Sequence, residues 1–219
     1  MRHFYAGVNY ILGKGGTFVE CGALDGEKRS NTLYLELSAD WSGVLIEPVP
    51  EHFKLVVDKH RHAWCVNTCL SPTPYPVQVN MEVKGDSGGS SKIRKSGVGV
   101  GADVSSIVKA ECFPLYSILY ALNFKHIDLF SLDIEGIEPD VLEHFPFDKV
   151  DISVLIIEVI HLDREKLERI LSNAGYRKVN HTKELDFVVP YTAFTVEFRD
   201  RIYVKKGLTL PIPIMRREY

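Results

Sequence analysis

What most constrains this chain is a rhythm of short apolar, β-branched runs, several ending on a carboxylate, that alternate with stretches of helical period. Thr17-Phe-Val-Glu-Cys21, Gly43-Val-Leu-Ile-Glu47, Ile127-Asp-Leu-Phe-Ser-Leu-Asp133 and Val154-Leu-Ile-Ile-Glu158 are nearly continuous hydrophobic segments, as strands buried on both faces should be. Between them the spacing predicts a helix from Asn31 or Thr32 to about Ala39, and another over 51–60 with Phe53, Val56, Val57 and His60 on one face. Further helices are expected over 114–122, from Pro139 towards Phe145, and over 163–173, where Leu167, Ile170 and Leu171 face inward. A third strand over 63–70 stops at Ser71-Pro-Thr-Pro-Tyr-Pro, and 176–179 with 201–204 forms a closing antiparallel pair. This alternation builds a Rossmann-like α/β fold, a mostly parallel sheet with helices on both faces. The length of 219 residues suits a single domain, with a core over about 15–205.

Two segments break the rhythm. Residues 77–83 alternate polar and apolar, which predicts a half-exposed antiparallel addition outside the parallel core, and 104–112 reads as a further strand. Residues 85–101 carry six glycines and no helical period, and are expected to form a mobile loop over the site. The net charge of −3 and pI near 6.2 give no pull towards phosphate backbones, so no nucleic acid partner is expected. There is no run of 18 apolar residues and no signal-peptide pattern at Met1, so no membrane segment is expected and the chain reads as soluble. The four cysteines, Cys21, Cys65, Cys69 and Cys112, make no C-x-x-C pair and read as buried thiols, with Cys65 and Cys69 on one strand. Asn180-His-Thr182 fits a glycosylation pattern that a chance match also explains. The compartment stays open between cytoplasm and the lumen of the secretory pathway.

In an open α/β sheet, ligands bind beyond the carboxyl ends of the strands. Glu20, Glu47 and Asp133 mark those ends. The turn Gly22-Ala-Leu-Asp-Gly26 after the first strand lets a ligand approach backbone, and it lacks the G-x-G-x-x-G dinucleotide pattern. A carboxylate closing the second strand can accept both ribose hydroxyls of an adenosine cofactor, which makes Glu47 the most informative residue. Asp133-Ile-Glu135-Gly-Ile-Glu138 concentrates three carboxylates after a buried strand. Such a cluster needs cations, protons or donors to offset its repulsion, and so points to binding of an ammonium group, a metal or a hydroxyl.

Together, Phe18-Val-Glu-Cys-Gly-Ala-Leu-Asp-Gly26, Ser30-Asn-Thr32, Trp41-Ser-Gly-Val-Leu-Ile-Glu-Pro-Val-Pro50, Leu132-Asp-Ile-Glu-Gly-Ile-Glu138 and Ile157-Glu158 resemble the FkbM methyltransferase family over about residues 15–190. The resemblance implies a seven-stranded class I methyltransferase fold, S-adenosylmethionine as cofactor, and O-methylation of a sugar or other small-molecule or glycan hydroxyl acceptor. It implies a cofactor site drawn from Glu20, Gly22, Ala23, Asn31, Glu47, Pro48, Ser71 and Asp133. Glu20 and Cys21 stand where the family more often has Asp-Val, which keeps the first-strand acid one methylene longer.

Methyl transfer needs alignment of acceptor oxygen, methyl carbon and sulfur, exclusion of water, and removal of one proton. Glu135, Glu158 and His161 are the candidate proton acceptors at the ends of the fourth and fifth strands. A divalent cation held by Asp133, Glu135 and Glu158 is a variant of the same site. The competing reading is a non-catalytic trafficking or interaction protein, because Leu24-Asp-Gly-Glu-Lys-Arg-Ser-Asn31 is similar to the animal, Star-like branch of the family.

Overall fold

The apolar runs form the centre of a seven-stranded sheet in the computed structural model, which describes residues 14–84, 91–94, 104–179 and 199–208. Its parallel strands are β1 (Thr17–Cys21), β2 (Ser42–Ile46), β3 (Trp64–Val66), β8 (His126–Leu132) and β9 (Asp151–Glu158). β11 (Asp200–Lys205) runs antiparallel beside β9, and β10 (Tyr176–Lys178) pairs antiparallel with β11 at the edge. The order β10-β11-β9-β8-β1-β2-β3 makes β1 and β8 neighbours although the chain between them is long, and this is the switch point of the sheet.

Alternate side chains of each strand enter two separate cores. Val19, Cys21, Val44, Ile46, Leu155 and Ile157 pack with α3 (Leu115–Ala121), α4 (Glu138–Glu143) and α5 (Arg164–Asn173). Phe18, Leu45, Val154, Ile156, Ile202 and Val204 pack on the opposite face with α1 (Leu33–Ala39) and α2 (Pro50–Asp58). Burying both faces explains why these strands read as unbroken apolar runs. Asp163 caps α5 by accepting the Lys166 N–H at 2.9 Å, and Pro139 occupies the first turn of α4 as expected.

The half-exposed strands belong to a second sheet of four strands, in the order β4 (Cys69–Leu70), β7 (Val104–Phe113), β5 (Val77–Lys84), β6 (Lys92–Ile93). β5 and β7 form its long antiparallel ladder, flanked by β6 and β4. Here two expectations are corrected. The strand expected over 63–70 breaks at Asn67 and Thr68, so that Cys65 stays in the main sheet while Cys69 passes to the second. Cys69 and Cys112 are not thiols: they are cross-strand partners 4.3 Å apart at Cα and form a disulfide, leaving Cys21 and Cys65 free. Linking residues 43 positions apart stabilises the fold by about 4 kcal/mol in the chain-entropy account. The glycine-rich loop over 85–101, apart from 91–94, and Asn180 to Thr182 lie outside the described residues. Among the described residues no helix is long and apolar enough to cross a membrane.

Candidate functional site

A cleft of about 940 Å³, counting its open mouth, lies at the carboxyl ends of β1, β2 and β8. Its floor is the β1 turn. The Gly22 and Ala23 N–H groups both donate to the Ile46 carbonyl, at 3.0 and 3.2 Å, and the Asp133 N–H donates to the Cys21 carbonyl at 3.2 Å. Gly22 has φ 82, and a Cβ there would lie 2.1 Å from the Asp133 carbonyl oxygen. Only glycine lets the first and fourth parallel strands close together at this point.

Glu47 follows β2 and is buried, with a relative exposure of 4%. Its Oε2 accepts the Leu24 N–H at 2.9 Å and its Oε1 accepts the Val49 N–H at 3.0 Å. Two backbone donors therefore hold the carboxylate in place, and each oxygen keeps a second lone pair for a ligand. The His52 Nδ1 lies 3.6 Å from Oε1, and this contact raises the imidazole pKa above its ordinary value. Pro48 lines the cleft beside it.

Glu20 is committed differently. Its Oε2 accepts the Ser30 and Thr32 hydroxyls at 2.8 and 2.5 Å, and its Oε1 accepts the Asn31 N–H at 2.7 Å. The Asn31 amide donates to Ser131 Oγ on β8 at 2.9 Å. The Ser30-Asn-Thr32 motif is thus a loop anchored on the first-strand acid. Beneath it lies Arg61, which the sequence reading overlooked because a lone arginine after a helix carries no pattern. The buried guanidinium donates to Glu36 Oε2 (3.0 Å), the Gly26 carbonyl (2.7 Å), Ser30 Oγ (3.0 Å) and Thr32 Oγ1 (3.0 Å), and stacks over Phe18. It lies 3.7 Å from Glu20. This fork fixes the segment that brings Lys28 and Arg29 into the cleft wall.

Beyond β8, carboxylates gather as expected, but not the three first named for a metal. Ligand oxygens of Asp133, Glu138 and Glu158 lie within 4.8 Å of one another and could hold a cation; Glu138 stands where Glu135 was expected. Glu138 is fully buried because its carboxylate accepts the Ile134 and Gly136 N–H groups, both at 2.9 Å, and closes the loop onto α4. Burial raises its pKa to about 7, with the Asp133 charge adding to the effect. Burial also raises Glu158, reinforced by the Asp133 and Glu135 charges and by a hydrogen bond shared with Asp133. Asp133 is raised by desolvation, against the pull of that hydrogen bond and of Arg199, Arg29 and His161. Asp200, paired with Glu158 across the β9–β11 ladder, is a fourth carboxyl, raised to about 6 chiefly by burial. Protons, backbone donors and cations together offset the repulsion that the sequence pattern implied.

Of the three candidate proton acceptors, Glu135 alone lines the cleft. It has φ 61, an uncommon backbone conformation for a side chain of this kind, and Gly136 follows with φ 108. The His161 carbonyl packs against Gly136, where a Cβ would come within 2.8 Å. Ser71 is not part of the cleft lining. It is buried in its own turn, where its hydroxyl donates to the Tyr75 carbonyl at 2.7 Å and its N–H to Phe113 at 2.9 Å. Thr68, Cys69 and Leu70, just before it, line the cleft instead, and the second sheet adds Met81, Ser91 and Ile93.

Residues 20–178 match the family described as Methyltransferase FkbM domain. No curated protein matches the chain. Among solved structures, a chain of the Haloferax volcanii complex between the Trm112 methyltransferase activator and a methyltransferase aligns with 8% identity and a TM-score of 0.42, covering 93% of this chain and 90% of that one. CurJ carbon methyltransferase aligns with 11% identity and a TM-score of 0.41, covering 87% of this chain and 48% of that one.

Proposed function

Because the chain belongs to the FkbM methyltransferase family, we propose that it binds S-adenosylmethionine in the cleft and methylates a hydroxyl oxygen of a sugar or another small acceptor. The observation that carries this reading is Glu47, a buried carboxylate fixed by two backbone donors at the end of β2 with lone pairs left for a ribose diol. When bound, S-adenosylmethionine supplies a methyl carbon already activated by its sulfonium. Gly22 and Ala23 give the cofactor backbone contact, and Pro48 with Thr68, Cys69 and Leu70 walls the part of the cleft next to Glu47. Ser71, expected in the cofactor site, lies outside the cleft lining and holds its own turn instead. Glu20 acts through Asn31 and its loop, while Asp133 offers a carboxylate to the methionine ammonium.

Glu135 takes the acceptor's proton, since it lines the cleft in a constrained turn. Glu158 and His161, the other two candidates, lie outside the cleft lining. A divalent cation on Asp133, Glu138 and Glu158 would supply a Lewis acid to the same hydroxyl. The disulfide favours the secretory-pathway lumen over the cytoplasm, because such bonds persist in oxidising compartments.

Calorimetry with S-adenosylhomocysteine tests the reading. The wild type should bind, and Glu47→Ala, still folded, should lose about 2–4 kcal/mol as two charge-assisted hydrogen bonds disappear. Equal affinities would remove Glu47 from the site. A transfer assay over sugar and small hydroxyl acceptors then separates catalysis from the Star-like trafficking reading, for which cofactor would bind and no acceptor would be methylated.

A further inference from the structure

The four-stranded sheet is an excursion of the chain that leaves after β3 and returns at Pro114 to begin α3. Its two ends meet. β4 and β7 lie side by side, with Cys69 opposite Cys112 and Leu70 opposite Phe113, and the disulfide joins them. Around that bond, the Ser71 N–H donates to the Phe113 carbonyl at 2.9 Å and the Thr68 hydroxyl to the Glu111 carbonyl at 2.5 Å. This short seam is the base of the whole excursion, and β4 itself is only two residues long.

The same excursion forms part of the cleft. Met81, Ser91 and Ile93 line it together with Cys69. Met81 is buried in one cluster with Cys69, Cys112 and Ala110, and Ile93 packs against that cluster, so the wall rests directly on the bridge. Cys112 is wholly buried and Cys69 is 5% exposed, so the small accessible part of the bridge belongs to a cleft residue.

We infer that the Cys69–Cys112 disulfide is the positioning element of this cleft wall, so that ligand affinity and the thiol–disulfide state of the bridge are linked. The inference rests on the proposed cofactor site. With a dithiol as reductant, one thiolate attacks a bridge sulfur and the S–S bond breaks to a mixed disulfide. The second thiol of the reagent then closes its own ring. Two electrons pass to the bridge, two protons end on Cys69 and Cys112, and the reagent leaves as a cyclic disulfide. The reduced seam keeps its hydrogen bonds and apolar packing but loses its covalent tie, and the wall loses its fixed place. By reciprocity, a ligand that prefers the oxidised form makes the bridge harder to reduce.

Titration of the full chain in dithiothreitol redox buffers, with thiols counted by alkylation and mass spectrometry, tests this with and without S-adenosylhomocysteine. The oxidised chain should bind S-adenosylhomocysteine on the order of tenfold more tightly than the reduced one. Saturating ligand should then move the bridge to a potential about 30 mV more negative, the equivalent of tenfold for two electrons. A Cys69→Ala/Cys112→Val variant, which keeps the buried volume close, should show the same loss of affinity should the reduced wild type unfold. Equal affinity in both redox states and in the variant, or a potential unmoved by ligand, overturns the inference and leaves the cofactor reading standing. No binding to the oxidised chain sinks the cofactor reading and the inference together.

Discussion

Single residues carry more of the site than their number suggests. Gly22 is the sharpest case: Gly22→Ala places a methyl 2.1 Å from the Asp133 carbonyl and holds alanine at φ 82. The backbone strain alone costs on the order of 1–3 kcal/mol, and the clash forces β1 and β8 apart. Urea denaturation should show at least that loss, with S-adenosylhomocysteine binding abolished; a variant as stable and as tight as wild type would contradict the apposition of these strands. Glu135→Gln should stay folded and lose most of the transfer rate, because an amide keeps the shape and does not take a proton. Full activity in that variant would leave the cluster to binding and structure. Glu47, Gly22 and Asp133 were legible in the sequence because each ends an apolar run, and the ends of parallel strands are where ligands bind. Glu138 was legible as the third carboxylate of that cluster but not as the one that meets Asp133 and Glu158, because its placement depends on the turn its carboxylate closes. Asp200 was not legible, since it comes to Glu158 only through a closing strand whose register no local pattern specifies.

Among the elements, the parallel core was readable because burial on both faces writes continuous apolar segments. The second sheet was half readable. The alternation over 77–83 announced an antiparallel, half-exposed strand, yet the break at Asn67 and Thr68 was hidden inside an apolar run, and with it the parting of Cys65 from Cys69. The pairing of Cys69 with Cys112 depends on a ladder between segments 43 residues apart, which spacing alone does not reveal. A buried fork like that of Arg61 is equally silent in sequence, but its consequence for the loop between β1 and α1 is direct. Arg61→Met should leave Glu20 and Glu36 as buried carboxylates without their cation, at a cost of about 3–5 kcal/mol. Arg61→Lys should recover little, since an ammonium cannot reach Glu36, Gly26, Ser30 and Thr32 at once. Thermal melts of the two variants check this, and a melting temperature unchanged in Arg61→Met would show the network to be dispensable.

For the molecule as a whole, the acidic cluster makes stability depend on pH in a direction that follows from its protons. Burial lifts Glu138 from 4.5 to about 7 and Asp200 from 3.8 to about 6, and it lifts Glu158 and Asp133 as well. In the unfolded chain these groups titrate as ordinary carboxylates. Between about 4.5 and about 7 the folded state therefore holds more protons than the unfolded state, and the unfolding free energy falls as pH rises. The contribution is fully present below the unfolded values and is lost as pH passes the folded ones. His126, raised by hydrogen bonds to Asp128 and Asp151 against its partial burial, acts in the same sense at higher pH. Asp25 and Asp151 are lowered, so their contribution is lost only as pH falls through the acid range. The melting temperature should accordingly decline from pH 5 to pH 8, and Glu158→Gln, which removes one of the raised carboxyls, should flatten that decline. A divalent cation would compete with the protons, so stabilisation by added manganese that grows with pH would show the cluster holding metal. A melting temperature level across this range in wild type and variant alike would mean that these carboxyls are solvated and titrate as in the unfolded chain.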